Sequence, residues 1–201
     1  MTYTETETIR LNIKDEQWNR SSSSWKRLKP KKFNCIDKNN ESVSDYCRRI
    51  EKVITVPEEV AKQWLYIHYY NGNTVDNYGW IDYSKAMFEC VTVTTENAIN
   101  LRVIEDYSDY VQTRKQGTPF KDFMCNTQDK EYWIQKRTWR IPPIIVDVKS
   151  FSNPPPFADF SGFSQLVEGH SRLGYLLSMH RVREELKEQH RVYVLRAQRD
   201  V

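Results

Sequence analysis

Three stretches of sequence decide the architecture: PPIIVDV at 142–148, SQLVEGHSRLGYLLSM at 164–179 and HRVYVLR at 190–196. The first carries a short β-branched apolar run, Ile144–Val148, fenced by two prolines and Lys149-Ser150, which predicts a buried strand. The second opens with another short strand, Ser164–Val167, and turns at Glu168-Gly169-His170-Ser171. It then places Leu173, Leu176, Leu177, Val182 and Leu186 at helical spacing, predicting a helix over Arg172–Glu188. The third alternates Val192 and Val194 against Tyr193 and Leu195 and reads as a closing strand, Arg191–Arg196. Between the first two lies SFSNPPPFADFSG (150–162), whose three successive prolines and Gly162 predict a stiff, exposed loop.

Outward from this unit the signals are helical. Val43, Tyr46, Cys47 and Ile50 recur at i, i+3, i+4 and i+7, and Pro57 with Glu58 and Glu59 suits the first turn of a helix with Val60, Trp64 and Ile67 on its apolar face. Asn71-Gly72-Asn73 is expected to end it, and Phe88–Thr94 is β-branched enough for a strand. Thr95 is read as the cap of one long helix to Gly117, and Thr118-Pro119 as the start of another, stopped before Ile141-Pro142-Pro143. Thr8–Ile13 alternates like a strand, and His68, among aromatics in YIHYY, has no second ligand at helical spacing.

Length and composition bound the class. The 201 residues amount to roughly 1.3 domains at ~150 each. Aromatics make up 13% of the chain, too many for a disordered one despite a mean hydropathy of -0.75. Thirty basic against 27 acidic residues leave a net charge of +3, no nucleic-acid signature for the chain as a whole. No run approaches a membrane span, and MTYTETETIR has neither part of a signal peptide, so a cytoplasmic protein with no membrane partner is expected. Cys35, Cys47, Cys90 and Cys125 lack zinc or redox spacing, and buried free thiols are expected.

One segment is locally basic. RSSSSWKRLKPKK, residues 20–32, holds Arg20, Lys26, Arg27, Lys29, Lys31 and Lys32 with no acid and with Trp25 in the middle. A solvated serine-rich loop is the favoured reading. The functional one is a flexible arm in which Lys26, Arg27, Lys29, Lys31 and Lys32 hold a phosphate backbone and Trp25 stacks on a base. Arg172, Arg181, Arg183, Lys187, Arg191, Arg196 and Arg199 form a second basic region, so DNA is a candidate partner.

The turn after the second strand carries the chemistry. A glycine there lets the backbone turn sharply onto a helix N-terminus, whose unpaired N–H groups and positive dipole end favour an anion. Gly169, His170, Ser171 and Arg172 are the phosphate-binding candidates, with Glu168 and His170 the candidate bases. The same residues also serve as a plain cap, with Ser171 at the N-cap and Glu168 a surface carboxylate. Neither a P-loop nor a dinucleotide fingerprint is present.

Taken in order, PPIIVDV, LVEGHSRLGYLLSM and HRVYVLR resemble the ParB/sulfiredoxin superfamily: a P-I-x-V strand, a G-x-x-R turn opening a helix, and a V-x-V strand. The resemblance covers about Trp139–Arg196. It implies an α+β fold with a small mixed sheet, a ParB/sulfiredoxin-like domain over 108–201 and an α/β extension over 1–107. It also implies a nucleotide cofactor, ATP, ADP or CTP with magnesium as a companion, held by Gly169, His170, Ser171 and Arg172. Glu168 stands where related free-serine kinases have an aspartate. His170 occupies the sulfiredoxin cysteine position, which excludes that activity, and only Ala197–Val201 follow the last strand, which argues against a complete partition protein. The expected function is nucleotide binding, with phosphoryl transfer or hydrolysis if the protein is an enzyme. The alternative is a non-enzymatic interaction subunit of a larger assembly, such as a defence or toxin-immunity complex, with a protein partner.

Overall fold

The computed structural model describes residues 15–31 and 41–198. The strand expected at Thr8–Ile13, together with Lys32, Cys35 and Arg199, lies outside the described residues. The fold is α+β, with helices and a four-stranded mixed sheet. The chain divides into two compact units. The first takes residues 1–88, 150–160 and 196–201, the second 89–149 and 161–195. The division therefore falls at 88/89 rather than at 107/108, and residues 150–160 belong to the first unit.

In the first unit, short helices pack their aromatic faces together. Helix α1 spans Asp15–Arg20 and α2 spans Ser23–Arg27, the latter capped by the Ser22 hydroxyl, which accepts from Trp25 N at 3.0 Å. The basic serine-rich segment is thus helical rather than a solvated loop. Its apolar side pays for that order: Trp25 and Leu28 are fully buried, and Trp25 stacks on Tyr69 with ring centroids 5.0 Å apart. Helix α3, Val43–Ile50, forms as its spacing predicts and buries Tyr46, Cys47 and Ile50.

Helix α4, Glu58–Val60, runs directly into a π turn, Ala61–Leu65. Widening to i→i+5 pairing rotates everything after it, so Tyr69 enters the core and Ile67, expected on the apolar face, is 57% exposed. Asn71 does not end this region but caps a new helix, α5, Gly72–Tyr78, accepting from Thr74 N at 3.1 Å.

Strand β1 is Ala86–Thr94. In the second unit, the single helix expected from Thr95 to Gly117 is two. Helix α6, Thr95–Ile99, is capped by Thr94, and α7 runs over Glu105–Gln116. The gap contains Arg102, whose N–H donates to Ser164 O at 3.3 Å and whose carbonyl accepts from Leu166 N at 2.8 Å. A backbone doing that cannot stay helical. Thr118-Pro119 starts no helix either, because α8 begins at Thr127 under the Asn126 side chain and ends at Lys136, where Arg137 takes a left-handed conformation.

Strand β2, Ile144–Asp147, is as predicted up to Val148, where the chain tightens into a 3-10 turn. Strand β3 is Ser164–Glu168, helix α9 is His170–Arg181 and strand β4 is Gln189–Ala197. Helix α9 stops seven residues before the predicted end at Glu188, leaving Val182 43% exposed. The sheet order is β1-β4-β2-β3. Strand β2 pairs parallel with β4, Ile145 opposite Val194, and antiparallel with β3, Ile145 opposite Leu166. Val192, Tyr193, Val194 and Leu195 are all buried, so β4 is covered on both faces and the alternation read from its sequence does not separate inside from outside.

Trp133, Ile145, Leu166, Leu176, Met179 and Val194 belong to the core of this unit, and α9 packs chiefly along α7. Among the described cysteines only Cys47 is buried; Cys90 is exposed and Cys125 half-buried, which corrects the expectation of buried thiols. No helix among the described residues is long and apolar enough to cross a membrane.

Candidate functional site

The turn between β3 and α9 is built around Gly169. Its φ of 109° and ψ of 23° are left-handed, and a Cβ there would stand 2.5 Å from the Pro143 Cβ, so both conformation and space require glycine. Gly169, not Ser171, is the N-cap residue of α9, and Ser171 sits inside the first turn. As in any α-helix, the first N–H groups of α9 have no acceptor within the helix itself, and the positive end of its dipole lies at this point.

The candidate side chains divide by what they touch. Arg172 is held: Nη2 donates to Glu168 Oε1 at 3.0 Å, Nη1 donates to the Ile141 carbonyl at 3.1 Å, and only 17% of its side chain is exposed. The pair ties the end of β3 to the first turn of α9 and to the approach of β2. Glu168 is engaged with the guanidinium, and His170 is buried with its ring 4.3 Å from that of Tyr107 on α7. Ser171 faces outward, and its Oγ lies 2.7 Å from the Tyr110 hydroxyl.

Helix α7 completes the group, and its residues carried no signal in the sequence. Arg114 Nη2 donates to the Tyr110 hydroxyl at 3.2 Å, with its guanidinium 4.4 Å above the Tyr110 ring. Gly174 permits the approach, because a Cβ there would meet the Arg114 Cβ at 2.3 Å. Two hydroxyls and a guanidinium thus gather one turn inside the N-terminus of a 12-residue helix. Among the described residues no group of three or more His, Cys, Asp or Glu side chains is placed to hold a metal ion.

The basic candidates are placed differently from expectation. Trp25, expected to stack on a base, is fully buried. Arg27, Lys29 and Lys31 are exposed and Lys26 is half-buried. In the second basic region, Arg181 donates to the carbonyls of Lys115, Gln116 and Gly117 at 3.0, 3.3 and 3.1 Å, closing the C-terminus of α7. With Arg172 also engaged, two of that region's cations serve the fold. Comparison with protein-family models, with curated proteins and with solved structures returns no match for this chain.

Proposed function

We propose that the second unit binds the phosphate group of a nucleotide at the N-terminus of α9, in keeping with its resemblance to the ParB/sulfiredoxin core. The observation that carries this reading is the junction of Ser171, Tyr110 and Arg114 beside the turn at Gly169. An arriving phosphate accepts from the N–H groups of the first turn, from both hydroxyls and from the Arg114 guanidinium, each charge-assisted bond stronger than a neutral one. Arg172 and Glu168 act as positioning residues, because their pairing fixes the turn. With Glu168 bonded to Arg172 and His170 buried against Tyr107, the reading is one of binding without turnover, and magnesium would arrive with the nucleotide.

Calorimetric titration with ATP, ADP and CTP, each with and without magnesium, tests it. Saturable binding is expected for at least one nucleotide, and the double change Ser171→Ala and Tyr110→Phe is expected to weaken it about tenfold or more, from the loss of hydrogen bonds to a charged group. Absence of heat with all three nucleotides would remove the reading. A second reading, a non-catalytic interaction subunit, is favoured by Met124 and Phe163, which are 77% and 78% exposed. It predicts a co-purifying protein that Phe163→Ser releases and that Ser171→Ala with Tyr110→Phe does not.

A further inference from the structure

We propose that the first unit carries a stacking site for single-stranded nucleic acid, formed by Trp18 and Tyr70 with Lys26 and Lys29. The inference rests on this unit alone and stands whether or not the second unit binds a nucleotide. Burial removes Trp25 from any such role, yet two other aromatics take it. Lys26 Nζ and Lys29 Nζ lie 5.8 and 5.6 Å from the Trp18 ring centroid, and Lys29 Nζ is also 5.9 Å from that of Tyr70. Trp18 and Tyr70 are both half-buried rather than enclosed in the core as Trp25 is. One ammonium therefore spans the rings of two half-buried aromatic residues, with a second ammonium on the first of them.

The platform beneath is fixed. Arg49 Nη1 and Nη2 donate to the carbonyls of Arg27 and Lys29 at 3.2 and 2.8 Å, and the Tyr46 hydroxyl donates to Leu28 O at 2.8 Å. The backbone that presents the cations is thus held from below, while Arg27, Lys29 and Lys31 are exposed. Two neighbouring carboxylates are already engaged: Glu41 is bonded to Arg49 at 2.6 Å and also accepts from Lys31 N at 2.8 Å, and Glu16 is paired with Arg20 at 3.5 Å. None of Lys26, Arg27, Lys29 and Lys31 forms an ion pair with a carboxylate of the described residues. Lys31 feels the charge of the nearby Glu41 carboxylate, which leaves Lys26 and Lys29 as the cations set beside the two rings.

Charge and ring together select the ligand. A phosphate chain answers the cations, and unpaired bases offer the flat faces that a duplex keeps inside its stack. An acidic protein segment would answer the charges only, so the aromatic pair favours a nucleic-acid strand.

The test is fluorescence anisotropy of the full chain with labelled oligothymidine, oligouridine and a duplex of equal length, between 50 and 200 mM salt, with intrinsic tryptophan emission followed in parallel. Saturable binding of a single strand is expected, with quenching of tryptophan emission and weaker binding of the duplex. Neutralising Lys26→Gln and Lys29→Gln together is expected to weaken it at least tenfold at 50 mM salt and to reduce the log–log salt slope by about 1.4, two phosphate contacts at ~0.7 each. Trp18→Phe, which keeps an aromatic ring, should retain most of the affinity, and Tyr70→Ala should lose several-fold with the salt slope unchanged. Circular dichroism of each variant guards against loss of fold. Failure to bind either single strand at 50 mM salt overturns the proposal, as does binding that the lysine pair does not alter. Binding of polyglutamate in place of the oligonucleotides overturns it in favour of an acidic protein partner.

Discussion

Tyr46 and Tyr69 lie in the same aromatic unit, both fully buried, yet their hydroxyls differ. Tyr46 donates to the Leu28 carbonyl at 2.8 Å, whereas the Tyr69 hydroxyl has no hydrogen-bond partner among the described residues. Burial pushes both phenols well above their ordinary pKa, so neither ionises in the working range. Removing a paired hydroxyl strands its acceptor, while removing an unpaired one abolishes a desolvation cost. Tyr46→Phe is therefore expected to destabilise by about 1–2 kcal/mol and Tyr69→Phe to be neutral or to stabilise by up to about 1 kcal/mol. Urea midpoints at unchanged m-value measure both; a loss of more than about 1 kcal/mol in Tyr69→Phe would mean that its hydroxyl has an acceptor after all.

Between elements, His190 on β4 joins α6 to the chain entering β2. Thr95 Oγ1 donates to the Lys187 carbonyl at 2.6 Å, so toward His190 Nε2, 3.0 Å away, it accepts, and Nε2 carries the proton. Nδ1 then accepts from the Thr138 hydroxyl at 2.7 Å. Burial, with a smaller contribution from the Lys187 charge, lowers the His190 pKa to about 4. The folded state therefore keeps the ring neutral where the unfolded chain, with an ordinary value of 6.5, binds a proton. Its stabilising effect is complete above pH 6.5 and fades as pH falls toward about 4, a loss of about 2–3 kcal/mol. Urea unfolding at pH 7.5 and 4.5 should show this loss in the wild type and a smaller one in His190→Gln; equal losses would assign the acid sensitivity to carboxylates. The elements themselves were legible where one local rule decided them: period and proline brackets for β2, β3 and β4, and the apolar spacing of α3. They were illegible where a neighbour overrode the local rule. The π turn moved Ile67 out, Arg102 broke a helix to pair with β3, and Arg181, part of the second basic region in the sequence, closes α7. At the site, the glycine turn could be read because it is local. Tyr107, Tyr110 and Arg114 could not, because only the packing of α7 on α9 brings them there from some sixty residues upstream.

At the scale of the whole molecule, the chain passes from one compact unit to the other at 88/89, 149/150, 160/161 and 195/196. The proline-rich segment, expected as an exposed loop, is in part a structural piece of the first unit. Phe160 is 6% exposed and stands edge-on to Trp80 at 5.1 Å and to Tyr78 at 6.4 Å, while Asp159 N donates to Asn77 Oδ1 at 2.6 Å. Ser150 Oγ accepts from Ala197 N at 3.0 Å, so the third piece of the unit is fastened to the second. An aromatic core closed by a distant segment loses both ring contacts and order when that segment loosens. Phe160→Ala in the full chain should accordingly cost about 3 kcal/mol, the range for truncating a buried phenylalanine. The cost should fall on one unit. Hydrogen exchange is expected to accelerate at amides of α5 and at Ile81 while those of β2 and α9 keep their protection. Uniform acceleration throughout both units would instead mean that the chain unfolds as one cooperative body, with the four crossings transmitting the defect rather than confining it.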